Sequence, residues 1–98
     1  MTLGAVAGLG TGLRLGTLCT PVTFREPGIT AKAAATLSAL NGGRAFVGVG
    51  AGWWEREHAA YLLPFLPSRD RLDDLDRAIR VMRALWAPGT REFSDGVV

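Results

Sequence analysis

The step Asn41-Gly42-Gly43 leads through Arg44 into the apolar run Ala45-Phe46-Val47-Gly48-Val49, which ends on Gly50-Ala51-Gly52 and two indoles, Trp53 and Trp54. This stretch constrains the fold most because of what stands before it. Pro27 suits the first position of a helix, where its missing N–H costs nothing. Ile29, Ala33, Leu37 and Leu40 then follow at helical spacing, and Asn-Gly-Gly supplies the chemistry of a left-handed cap. Ahead of that helix, Leu13 to Cys19 alternates partly with period two, as a short strand does. Strand, helix and strand in this order make a βαβ unit, whose strands run parallel. Both strands then end at the same face, so the loop that begins near Cys19 opens beside the turn at Gly50–Trp53. Ligands of α/β proteins bind at that face.

Glycines at alternate positions 48, 50 and 52 would weaken an ordinary strand. Lacking Cβ, they let something else approach the backbone closely. The turn matches neither phosphate-loop template: the third glycine of a dinucleotide fingerprint is missing, and Lys32 follows no Walker pattern. A ligand-facing turn and a simple tight turn both remain open. The alanines Ala31, Ala33, Ala34 and Ala35 are expected to let the intervening helix lie close to the sheet.

Further along, a helix is expected over about 55–62, interrupted by Pro64-Phe65-Leu66-Pro67. The clearest helix covers about 69–86, with Ser68 or Asp70 as its cap and Leu72, Leu75, Ile79, Met82 and Trp86 on one face. Asp73 with Arg77 and Asp76 with Arg80 are i,i+4 pairs in the acid-first order, each contributing about 0.2–0.5 kcal/mol. Phe93-Ser94-Asp95-Gly96 is read as a turn. The fold class is therefore α/β, with two parallel strands at about 13–19 and 45–50 and helices at about 27–41, 55–62 and 69–86.

Composition removes several function classes. Formal net charge is +2, and ten of the eleven basic residues are arginines scattered among nine acids, so no nucleic-acid stripe is expected. One cysteine excludes an internal disulfide and fits a reducing cytoplasm; one histidine leaves no metal-ligand spacing. The N-terminal stretch carries Gly4, Gly8, Gly10 and Gly12 without a leading basic residue, unlike a signal or a spanning helix. No membrane role is expected. At 98 residues the chain is one domain, far short of the roughly 250 residues of a closed (β/α)8 barrel. Two parallel strands also leave unpaired edges, so association through open sheet edges is expected.

The segments Leu15-Gly16-Thr17-Leu18-Cys19-Thr20-Pro21-Val22-Thr23-Phe24-Arg25-Glu26-Pro27, Ala34-Ala35-Thr36-Leu37 with Gly42-Gly43-Arg44, and Gly48-Val49-Gly50-Ala51-Gly52-Trp53 together resemble the luciferase-like monooxygenase superfamily. The likeness is greatest to the subgroup that uses the deazaflavin coenzyme F420. Glu57-His58, Tyr61, Pro64-Phe65 and Arg71-Leu72 to Trp86 fit the same pattern, so nearly the whole chain is covered. The resemblance implies a (β/α)8 TIM barrel of which residues 1–98 form a partial domain, strands three and four with the helices that follow.

By the same resemblance, the third strand ends in a bulge with a non-prolyl cis peptide behind the flavin ring, here Leu18–Cys19. Such a bond costs about 3–4 kcal/mol, and in an isolated piece it is expected to relax to trans. A small buried residue is the other reading of Cys19. The turn Ala51, Gly52 and Trp53 is implied to meet the cofactor tail through its backbone, whereas packing is the competing reading of both indoles. The cofactor implied is F420, with FMN as the alternative, and the substrate is an unidentified small molecule. Glu57 and His58 are read as a structural cap or surface contact, and Arg25, Arg69 and Arg71 as arginines paired with carboxylates more often than with phosphate. Some relatives carry an acid where Trp53 stands, so no catalytic residue is assigned.

Two functions of different class follow. The chain is a piece of a flavin- or F420-dependent oxidoreductase that contributes a cofactor wall, or it is a truncated remnant or small binding module with no catalysis of its own.

Overall fold

A computed structural model describes residues 1–88. Its elements are α1 (Thr2–Ala7), β1 (Leu15–Pro21), α2 (Pro27–Leu40), β2 (Ala45–Gly50), α3 (Glu55–Ala60) and α4 (Ser68–Trp86). The turn expected at Phe93–Gly96 lies outside the described residues. β1 and β2 pair in parallel, with Leu15 beside Ala45, Thr17 beside Val47 and Pro21 beside Gly50. The βαβ expectation therefore holds, and the first strand lies two residues further along than expected.

Asn41 is 3% exposed, and its side-chain amide donates to the carbonyls of Leu13 (2.8 Å) and Arg44 (2.7 Å). One side chain thus ties the end of α2 to the entry of both strands. Gly42 and Gly43 follow at φ 63° and 80°, and the Gly43 N–H closes on the Ser38 carbonyl, completing the left-handed cap.

β1 carries one residue more than its partner between the Thr17–Val47 and Thr20–Val49 pairs. The Leu18–Cys19 peptide inside this bulge is cis, the form the resemblance implies, and not the trans form expected of an isolated piece. Ladder pairing on both sides holds the bulge in place.

α2 and α4 cover one side of the sheet. Ala31 of α2 meets Ala78 and Met82 of α4, with Val22 and Val49 packed against them. The Trp86 indole N–H donates to the Ala31 carbonyl at 3.0 Å, locking the far end of α4 to α2. Several residues expected on these faces lie elsewhere. Ile29 and Leu40 are exposed, as are Leu72 and Ile79, and of the four alanines only Ala31 is buried while Ala33 and Ala35 face solvent. Helical spacing alone admits two neighbouring faces, and on α4 packing selects Ala78, Val81 and Met82.

Two expected boundaries shift for local reasons. Pro67 occupies the N-cap position of α4, and Ser68 does not cap the helix but accepts a hydrogen bond from Arg71. α3 ends at Ala60, before either proline, because Leu62 turns into the left-handed region at φ 59° and the Leu63 N–H bonds the His58 carbonyl at 2.8 Å. The Asp76–Arg80 pair forms at 2.9 Å.

Candidate functional site

Val49 points to the helices, so by strand alternation Phe46, Gly48 and Gly50 point to the opposite face. No described element covers that face. Phe46 is 45% exposed and Leu18 fully exposed; Cys19, read as a small buried residue or a cofactor contact, is exposed as well.

Cys19 and the glycine turn meet at one edge of the sheet. A Cβ built on Gly50 would stand 3.2 Å from the Cys19 sulfur, and one on Gly48 would overlap the Thr17 carbonyl oxygen. The close approach anticipated at these glycines is therefore made by the chain itself: the β1 bulge presses against β2, and a side chain on Gly48 would have to move backbone. Gly52 is constrained twice. Its φ is 83°, and its Cβ would meet the Thr23 hydroxyl at 3.0 Å and His58 Nε2 at 3.3 Å. No ligand is needed to explain any of the three.

The N–H groups of Ala51, Gly52 and Trp53 are a different matter. Among the described residues they meet no hydrogen-bond acceptor, although they follow directly on a paired strand. Consecutive free donors at a loop suit an anionic or hydroxyl-rich ligand. Trp53, the last residue of the turn, is 82% exposed and stacked on Trp54 with ring centres 6.0 Å apart and planes 17° from parallel. Among the described residues Trp53 packs in no core, and its stacking partner is Trp54.

Beneath the turn lies the part that sequence reasoning missed. His58 is 1% exposed, so it is no surface contact, and α3 has no side-chain cap hydrogen bond. Its Nδ1 lies 2.7 Å from the Trp54 carbonyl and its Nε2 2.6 Å from the Thr23 hydroxyl. A carbonyl only accepts, so Nδ1 carries the proton; in the neutral ring Nε2 then accepts from Thr23. Phe24 and Phe65 pack edge-on around the ring at 5.6 and 4.7 Å. The available signal was the four-residue spacing from Trp54 to His58, which on a helix brings a polar side chain back to a carbonyl.

The arginines divide. Arg71 donates to the Leu66 carbonyl and the Ser68 hydroxyl and lies over the Phe65 ring at 4.0 Å, so it braces the connection into α4 rather than a phosphate. Arg25 is exposed in the loop after β1. Among the described residues, no three His, Cys, Asp or Glu side chains gather as a metal site, and no helix is long and apolar enough to cross a membrane.

The F420-dependent glucose-6-phosphate dehydrogenase of Beutenbergia cavernae is 40% identical over 95 residues, which cover 96% of this chain and 28% of that enzyme. The phthiodiolone/phenolphthiodiolone dimycocerosates ketoreductase of Mycobacterium tuberculosis is 42% identical over 86 residues, 86% of this chain and 21% of the relative. A dehydrogenase of the same description from Segniliparus rotundus is 38% identical over 85 residues, again 86% of this chain, and 25% of its own length. The chain spans about a quarter of the curated relatives it matches. The family model described as luciferase-like monooxygenase matches residues 1–95, from α1 through the whole βαβ unit and α4, and the chain belongs to that family.

Proposed function

We propose that residues 1–98 form strands three and four of a luciferase-like (β/α)8 barrel and supply one wall of the cofactor site of an F420-dependent oxidoreductase. The observation that carries this reading is the meeting of the β1 bulge and the Ala51–Trp53 turn at one edge of a sheet whose other face is bare. Helices on one side and an uncovered face on the other are the layering of a barrel segment, in which the bare face looks into the barrel. A chain that covers about a quarter of its relatives' length is the size expected of such a segment.

The groups present fit a deazaflavin. The N–H groups of Ala51, Gly52 and Trp53 bind oxygens of the cofactor tail; Leu18 and Cys19 form the floor behind the ring; the exposed Trp53 indole excludes water from the rim. When bound, the deazaflavin supplies the hydride-transfer chemistry, and the protein's share is binding and orientation. F420 is preferred to FMN because the relatives from Beutenbergia and Segniliparus are described as F420-dependent. No residue of this chain is assigned as the proton donor.

A bare face favours a second statement: the chain by itself binds substrate and cofactor too weakly to turn over, and its open edges associate with further sheet. Replacing the corresponding stretch of the Beutenbergia dehydrogenase with residues 1–95 tests both. The chimera is expected to fold and to bind F420 in preference to FMN, followed by cofactor fluorescence, whereas the isolated chain binds neither tightly. A folded chimera indifferent to F420 removes the wall reading; tight binding by the isolated, monomeric chain removes the view of it as one wall only.

A further inference from the structure

We propose that His58 is a positioning residue for the Ala51–Trp53 turn, acting through a bridge that runs from the Thr23 hydroxyl through the imidazole to the Trp54 carbonyl. Three segments meet in this bridge: the loop leaving β1, the turn leaving β2, and α3. Its two hydrogen bonds, 2.6 and 2.7 Å, are made by a ring that is 1% exposed, so the imidazole itself is shut off from solvent. Phe24 and Phe65 fix the ring plane.

The turn rests directly on this bridge. The space where a Gly52 Cβ would sit is bounded by the Thr23 hydroxyl at 3.0 Å and His58 Nε2 at 3.3 Å, the two atoms that bond each other. A change in that bond therefore moves the support of Gly52 and, with it, the free N–H groups on either side. Thr23 also joins the two rims: the loop that follows the Cys19 bulge is tied to the turn that carries Trp53. Both indoles of the stack hang on this arrangement, since the carbonyl that Nδ1–H engages belongs to Trp54.

The test is made on the full chain. In the wild type, nitrogen NMR of the imidazole should show a protonated, pyrrole-type Nδ1 and an unprotonated, pyridine-type Nε2. Thr23→Val removes the hydroxyl at nearly constant volume and should displace the backbone amide resonances of Gly52 and Trp53, while those of α4 stay in place; Thr23→Ser should restore them. The cofactor consequence rests on the wall reading proposed above. In the chimera with the Beutenbergia dehydrogenase, Thr23→Val should weaken F420 binding about tenfold and Thr23→Ser should recover it, the size expected when a buried acceptor loses its donor.

A folded Thr23→Val chain whose Gly52 and Trp53 resonances do not move overturns the proposal, and so does a pyridine-type Nδ1 in the wild type, a result that requires no variant to fold. Displaced turn resonances in a chain whose chimera ignores F420 uphold the positioning role and defeat the cofactor reading alone.

Discussion

The two faces of the β1–β2 sheet are built from the same strands and differ in completeness. On the helix side, Val49 and Val22 pack on Ala31, Ala78 and Met82, and the exit loops are joined over a fully buried histidine. On the other side, Leu18, Cys19 and Phe46 stand exposed. Alternating apolar residues cannot distinguish these faces, because a strand buried on both faces and a strand waiting for a partner read alike. What distinguishes them is the glycines. Gly48 and Gly50 stand on the bare face, yet the neighbour that forbids a side chain there is the β1 bulge in the same sheet. Glycine on this face records how closely the strands approach, and the ligand, if it comes, meets a surface already shaped by the chain.

The sharpest way to break that view is to compare Gly48→Ala with Gly50→Ala. At Gly48 the added methyl overlaps the Thr17 carbonyl oxygen, which is backbone and can yield only if the ladder moves. At Gly50 it meets the Cys19 sulfur at 3.2 Å, the end of a side chain free to rotate toward solvent. Gly48→Ala is expected to cost about 3 kcal/mol, the upper end for forced overpacking, and Gly50→Ala under about 1 kcal/mol. Denaturant midpoints of the isolated chain measure both. Equal costs would mean that the strands are not held together as described, and would return these glycines to the ligand.

The parallel pair, the crossover helix and the long C-terminal helix were legible because each carries its own local signal: Pro27 at a helix start, Asn41-Gly42-Gly43 at its end, and an apolar run entering a turn. The side each helix buries was legible only in part: Met82 was expected inside and is buried, whereas Ile29 and Leu72 were expected inside and are exposed. Ile29 and Leu72 occupy helical spacings as regular as those of Ala31 and Ala78, and only the geometry of α2 against α4 decides between them. At the site, sequence brought Cys19 and the Ala51–Trp53 turn to one rim correctly, since parallel pairing dictates it. It missed His58, because a histidine's partners, here Thr23 thirty-five residues away, are set by tertiary packing. The meaning of the glycines was half legible: close approach was read, and the approaching group was not.

Trp86→Phe sharpens the comparison from the helix side. The substitution keeps the ring but loses the N–H that reaches the Ala31 carbonyl at 3.0 Å. Trp86 is 44% exposed, so water replaces part of what is lost, and about 1 kcal/mol of stability should disappear. Thermal unfolding followed by circular dichroism at a helical wavelength reads the change. No loss at all would show α4 held by Ala78, Val81 and Met82 alone, leaving the indole as a surface contact.

Leu18→Ser has the smallest expected effect, and its value lies in being measured twice. Leu18 is fully exposed, so in the isolated chain the substitution removes no contact and should shift stability by less than about 0.5 kcal/mol. In the chimera with the Beutenbergia dehydrogenase the same side chain would face the interior of a closed barrel. There, loss of its apolar surface should cost about 1.5–3 kcal/mol, the contribution of a fully buried leucine. The difference between the two contexts measures how much of the bare face the rest of a barrel covers. A small cost in both leaves the face solvent-lined even in the larger protein and weakens the assignment of Leu18 to the cofactor floor. A large cost in the isolated chain, by contrast, would mean that its face is already covered in solution; sedimentation of the wild type across a range of concentrations would then reveal the second copy responsible.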